Sequence, residues 1–305
     1  MINHSTQAYS VNYKVDLPTP SNHYAKVQMT FEVEKDAVFQ VGMPVWTSGS
    51  YLVREFSKSV ESVAASLDGK RLNVKKTRKN VWDIESKGKG VITVSYLVYC
   101  FEFSARTSFI DESQALINGA SFFMYLKGSE QEPGKVEIQI PNDWENHISS
   151  MKEESFDTVT NTVVYSFFNY DILVDSPIQL GTFDILEFDV LNVPHYVALV
   201  GTNNAKQKQL QNDMKAVCAS MANIVGESPK DVNPNKYVFI VQHVESGGGG
   251  IEHLNSTVLV MPRFNYSSPT KYRSFMNLVA HEYFHLWNVK RIRPVNLGPF
   301  DYDNE

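Results

Sequence analysis

The run Asn277-Leu278-Val279-Ala280-His281-Glu282-Tyr283-Phe284-His285-Leu286-Trp287-Asn288 carries the pattern H-E-x-x-H. On a helix, residues four apart stand one turn apart on the same face, so the imidazoles of His281 and His285 can point at one metal ion. Glu282, beside the first of them, can reach a water at that ion and take its proton. These are the parts of zinc-assisted hydrolysis. The same spacing also arises by accident on an ordinary amphipathic helix, and the neighbours weigh against that. Phe275, Leu278, Val279, Phe284 and Leu286 make the segment apolar nearly all round and predict a buried helix. A glutamate between two histidines on such a helix is costly without a partner, and a metal supplies one.

Working outward, Ser268-Pro269 opens this helix, the serine as N-cap and the proline in the first turn, and Pro294 ends the segment beyond it. Upstream, Lys236 to His243 and Ser256 to Met261 read as strands. Leu210, Met214, Val217, Met221 and Ile224 fall on one helical stripe, which Gly226 and Pro229 end. Thr182 to Val193 and His195 to Val200 are strand-like. Before Pro177 the signal is β throughout. Val27, Met29, Phe31 and Val33 alternate with polar residues, as do Val136, Ile138 and Ile140 up to Pro141; Ile92, Val94, Tyr96 and Val98 do so less cleanly. Asp68-Gly69 marks a hairpin turn. The expectation is an α+β chain: an N-terminal β-sandwich over residues 1–174, then a second half over 175–305 whose strands lead toward the metal helix.

Gly247-Gly248-Gly249-Gly250-Ile251-Glu252-His253 joins two of those predicted strands. Taken alone it reads equally as a floppy hairpin loop or as the wall of a cleft that another backbone can approach closely. Lying between strands and followed by Glu252-His253, it suits the second reading better: an edge strand there pairs with an extended peptide, and Glu252 holds the peptide's α-ammonium. His253 and His243 read as supporting or surface imidazoles and not as ligands.

Composition narrows the partners. Among 305 residues, 43% are apolar and 20% charged, a folded chain with real cores. The net charge of -6, with Lys290-Arg291-Ile292-Arg293 only a short basic tract, argues against nucleic acid. Arg54 and that tract read as substrate contacts or, better, as salt bridges near the helix end. Cys100 and Cys218 have no ligand spacing and read as reduced core thiols. The polar start Met1-Ile2-Asn3-His4 and the lack of an apolar run of about 18 residues predict a cytoplasmic, non-membrane protein. Asp301-Tyr302-Asp303-Asn304-Glu305 comes after the metal helix with no closing element, which predicts a truncated catalytic half.

The pairing of Gly-Gly-Gly-Gly-Ile-Glu-His at 247–253 with His-Glu-Tyr-Phe-His-Leu-Trp-Asn-Val-Lys-Arg-Ile-Arg-Pro at 281–294 resembles the glycyl aminopeptidase family of zinc metallopeptidases, family sixty-one in the peptidase numbering. Pro44-Val45-Trp46-Thr47-Ser48-Gly49-Ser50-Tyr51-Leu52-Val53-Arg54-Glu55-Phe56 and Asp175-Ser176-Pro177-Ile178 resemble it too. The resemblance implies a β-rich N-terminal domain, then a thermolysin-like (gluzincin) catalytic domain, incomplete here, often followed by a PDZ domain. It implies His281 and His285 as zinc ligands, Glu282 as general base, and Glu252 as receiver of the substrate's amino end, with Gly249 and Gly250 lining the cleft. The family's third ligand lies in a Leu-Trp-x-x-Glu-Gly segment that does not occur before the chain ends. Glu305, twenty residues beyond His285, or a glutamate further on would take that place. The implied function is a zinc aminopeptidase acting on peptide substrates. The alternatives are an inactive, peptide-binding fragment or a thermolysin-like endopeptidase.

Overall fold

The structure is a computed structural model and describes residues 7–50, 52–232, 235–295 and 298–304. Glu305, a candidate third ligand, lies outside the described residues. The first part of the chain is β-rich, as its alternation predicts. In Tyr24–Val33 the side chains of Ala25, Val27, Met29, Phe31 and Val33 are buried while Lys26, Gln28 and Glu32 are exposed. This strand pairs antiparallel with Asn12–Asp16 on one side and Gly90–Tyr99 on the other. They lie inside an eight-stranded sheet that ends in the hairpin Val60–Leu67 and Lys70–Arg71. Its turn, Asp68-Gly69, has φ of 48° and 81°, the left-handed pair a two-residue hairpin needs.

Two four-stranded sheets complete this part. One contains Ala37–Gly42 and Val81–Ser86, the other Gln114–Ile117 and Ile178–Gly181. A single core joins all three sheets, with Met29, Ile138, Ile84, Phe39, Ile117 and Ile178 among its buried members. Cys100 and Cys218 are both buried free thiols, as expected.

Immediately after Gly181, Phe183–Val190 opens a five-stranded sheet. Its order is Phe183–Val190, Val193–Val200, Tyr237–Val244, Ser256–Pro262 and Gly249–Glu252. The three middle strands are parallel and the two outer pairings antiparallel. Tyr237–Val244 is buried along nearly its whole length, which requires cover on both faces. Its alternate residues have different neighbours. Tyr237, Phe239 and Val241 meet the helices Gln207–Val225 and Pro269–Phe284 through Leu210, Met214, Val279 and Tyr283. Val238 and Ile240 join a core with Leu116 and Ile148 of the first part. The sheet is thus a partition between the helices and the N-terminal sheets. Gln242 donates to Gln179 at 2.6 Å across that second face.

One expectation needs correction. Helix Pro269–Phe284 is not buried all round: Phe275, Val279, Glu282 and Tyr283 face inward, whereas Ser274, Asn277 and His281 lie on an exposed face. Only one stripe of the helix meets the sheet, and the apolar residues off that stripe, Leu278 and Phe284, are half-buried. Of the two readings of the glycine run, the edge strand is the one present. Gly249–Glu252 is itself the edge strand, paired with Ser256–Pro262. Among the described residues no helix is long and apolar enough to cross a membrane.

Candidate active site

Ser268 caps the motif helix by accepting from the Lys271 amide at 3.5 Å, with Pro269 in the first turn. Regular helix ends at Phe284, but His285 keeps helical angles, φ -62° and ψ -16°, so its side chain still stands one turn above His281. Their Nε2 atoms are 3.3 Å apart with the rings nearly perpendicular, 88°. An ion bonded tetrahedrally to two nitrogens at about 2.0–2.1 Å would hold them about 3.3–3.4 Å apart. The spacing therefore fits a shared ion. His285 Nδ1 lies 3.1 Å from the Asn288 carbonyl, which places the ring proton on Nδ1 and leaves the Nε2 lone pair for a metal.

Ligating atoms of His281, Glu282 and His285 all lie within 4.8 Å of one another, and among the described residues no further His, Cys, Asp or Glu joins them. Glu282 is 5% exposed. Burial first, and then the charge of Glu252, push its carboxyl up to about 7, while Arg106 opposes the rise. A dication at the histidines would favour the carboxylate again.

The opposite wall is the edge strand. A Cβ on Gly250 would sit 2.6 Å from Glu282 Oε1, so only glycine lets the strand approach that carboxyl this closely. The strand's register decides what it offers. His253 N donates to Ser256 O at 2.9 Å, and Ile251 and Gly249 stand opposite Val258 and Val260. Antiparallel pairs alternate, so Ile251 and Gly249 bond inward while the amides and carbonyls of Gly250 and Glu252 point out from the free edge. Glu252 is buried at 7% exposure. Gly49, from the N-terminal part, presses against it. With φ of 85°, a Cβ there would lie 2.9 Å from Glu252 Oε2. Arg106, also from that part, donates from Nη2 to the Gly250 carbonyl at 3.4 Å.

A buried ion pair fixes the two walls relative to each other. Asp175 accepts from Lys290 Nζ at 2.8 and 2.9 Å, from Leu254 N at 2.9 Å, and lies 2.9 Å from His253 Nδ1. Lys290 also donates to Ser48 Oγ at 3.0 Å. Burial alone would raise the Asp175 carboxyl, but Lys290 and His253 outweigh it and hold it below the usual range. The end of the edge strand, the turn after the motif helix and the N-terminal loop thus meet at one carboxylate.

Each residue singled out from sequence has a definite place. His281, Glu282 and His285 cluster, and Gly249, Gly250 and Glu252 line the facing strand. His253 and His243 stay out of the cluster but are buried, not on the surface; His243 bridges the Val200 carbonyl and Tyr266 Oη, each at 2.8 Å. Lys290 and Arg291 form ion pairs, with Asp175 and Glu227, and Arg54 bonds Ser50 Oγ. The roles of Arg106 and Gly49 were invisible in sequence, since both act across more than 140 residues of intervening chain.

A model of the Peptidase M61 N-terminal domain matches residues 12–182, more than half the chain, and one of the M61 glycyl aminopeptidase matches residues 274–305. The chain belongs to peptidase family M61. No curated protein matches it. Among solved structures, an aminopeptidase N family protein from Idiomarina loihiensis is similar at TM-score 0.89 and 29% identity, over 97% of this chain and 50% of that one. This M61 member therefore spans half the length of that relative. An M1 zinc metallopeptidase from Deinococcus radiodurans is similar at TM-score 0.51 and 11% identity, over 90% of this chain and 64% of that one, a likeness of fold.

Proposed function

We propose that this protein is a zinc-dependent aminopeptidase of thermolysin-like (gluzincin) architecture that removes N-terminal residues from peptides. The supporting observation is the pairing of two carboxylates across one cleft. Glu282 packs on Gly250, and Glu252 lies two residues further along the same free edge. A site of this form reads an amine at one end and deprotonates a water one residue away.

His281 and His285 would hold the ion, with Glu305 or a glutamate further along completing the set. When bound, zinc supplies Lewis acidity, lowering the pKa of a water and polarising a carbonyl. The chain's own residues do the remainder. Glu282 takes the water's proton and returns it to the leaving amine. The outward amide and carbonyl of Gly250 pair with an extended substrate, which orients the scissile bond. Glu252 receives the α-ammonium, and Gly49 closes the space behind it.

Peptide is the proposed partner, without nucleic acid or membrane, in the cytoplasm. The test compares free and N-acetylated peptides on the full-length, zinc-loaded protein. Acetylation is expected to abolish cleavage. Cleavage of both at similar rates would make it an endopeptidase, and failure to retain stoichiometric zinc after dialysis would make it a non-catalytic peptide binder.

A further inference from the structure

The loop from Phe101 to Ser108 has no part in holding the metal cluster, yet it is tied down residue by residue. Ser104 Oγ and Thr107 Oγ1 lie 2.7 Å apart, and Ser104 Oγ also accepts from Arg106 N at 3.1 Å. Thr107 donates to the Glu102 carbonyl at 2.6 Å, Asn118 to the Ala105 carbonyl at 3.2 Å, and Ser108 N to Ser121 Oγ at 3.0 Å. Ala105, Thr107 and Ser108 are buried, while Arg106 between them is half-exposed. The loop fixes the backbone on both sides of one side chain and extends that side chain into the cleft.

What the guanidinium does there is underused. Among the described residues its one side-chain hydrogen bond, 3.4 Å to a neutral carbonyl, is long, and a guanidinium carries five donors. Among the described residues it forms no ion pair within 4.0 Å. A preorganised cation with donors to spare, beside the free edge of a peptide-pairing strand, is suited to a carboxylate.

Its place along the edge says which one. Gly250 is two positions from Glu252, about 6.6 Å of extended chain. A peptide anchored by its amine at Glu252 brings its second residue level with Gly250. We propose that Arg106 is a specificity-determining residue that binds a carboxylate at the second position of the substrate, either an acidic side chain or the terminal carboxylate of a dipeptide. This rests on the aminopeptidase reading for the direction of the peptide, and deepens it.

The experiment measures binding as well as turnover. Peptide affinity is read by calorimetry on the full-length, zinc-loaded Glu282→Gln protein, so that nothing is cleaved. Ala-Glu amide against Ala-Gln amide reads the side-chain source, and Ala-Ala against Ala-Ala amide reads the terminal one. At least one carboxylate form is expected to bind about tenfold more tightly than its neutral partner, the scale of a hydrogen bond to a charged group. Arg106→Gln should erase that preference without changing affinity for the neutral peptides, Ala-Gln amide and Ala-Ala amide, and Arg106→Lys should restore part of it. A residue that only joins the two halves would instead lower the melting temperature and weaken all four peptides alike. Equal binding of charged and neutral peptides by the protein with Arg106 intact overturns the proposal, even if the Arg106 variants fail to fold. If the preference is present and depends on Arg106 while the parent protein shows no turnover, the enzyme reading fails and this one stands.

Discussion

The two walls of the cleft are made in different ways. One is a single helix: His281, Glu282 and His285 lie within five consecutive residues, and helical geometry alone brings their ligating atoms within 4.8 Å. The other draws on three distant stretches, Gly49, Arg106 and the strand Gly249–Glu252, which meet because the five-stranded sheet packs one face on the N-terminal sheets. The comparison teaches that the proposed chemistry is carried locally while the proposed substrate recognition depends on how the two parts of the chain are docked. Changes to the helix wall should therefore remove turnover and leave the fold intact. Changes to the composite wall should act through stability and binding.

The largest effect is expected at Glu282. Glu282→Gln should lower kcat by about 10³-fold or more while zinc content after dialysis stays near that of the parent, since general acid–base help is worth about 10²–10⁴ and in the proposed mechanism this residue serves both steps. Wild-type turnover in this variant would break the assignment of the helix wall.

Next is the clamp between the walls. Asp175→Ala leaves Lys290 as a buried, unpaired cation and strips an acceptor from Leu254 N, so unfolding free energy should fall by about 3–5 kcal/mol in a denaturant titration. The double variant Asp175→Ala with Lys290→Met should recover part of that loss. If the single substitution costs nothing measurable, the walls are not held together here.

His195 tests the layer behind the helix wall. It is fully buried, bonded to the Val193 carbonyl at 2.8 Å and to Tyr283 Oη at 2.9 Å, and stacked between aromatic rings. Burial pushes its pKa down from 6.5 to about 4. The unfolded chain therefore binds a proton that the folded one does not between those two values. Its contribution to stability is full above pH 6.5 and is lost as pH falls toward 4, by about 3 kcal/mol. Substituting His195→Phe should flatten this part of the stability–pH curve; an unchanged slope would show that another group governs it.

The smallest expected effect sharpens the composite wall. Gly49→Ala places a methyl group against Glu252 at a left-handed backbone position, at a cost of about 1–2 kcal/mol in stability. It should raise KM for peptides with a free amine several-fold and leave zinc content unchanged.

Much of the fold is legible in the sequence because alternation and helical spacing are local signals. Tyr24–Val33, Gly90–Tyr99 and the helix Gln207–Val225 fall where the apolar positions of residues 27–33, 92–98 and 210–224 put them. The motif helix reads as buried all round and is not, because apolar content does not say how many neighbours a helix will have. Taken alone, the glycine run reads equally as a loop or a cleft wall, since four glycines carry no side-chain pattern, and its flanks favour the wall. Only its pairing with Ser256–Pro262 makes it an edge strand.

By itself the sequence determined that His281, Glu282 and His285 cluster, because i and i+4 on one helix are neighbours whatever surrounds them. The tertiary structure alone decided what faces that cluster. Gly49, Arg106 and the Asp175–Lys290 pair reach the cleft through contacts between residues more than a hundred positions apart. No periodicity records such contacts; they arise from which faces of the sheets are left to bury against each other.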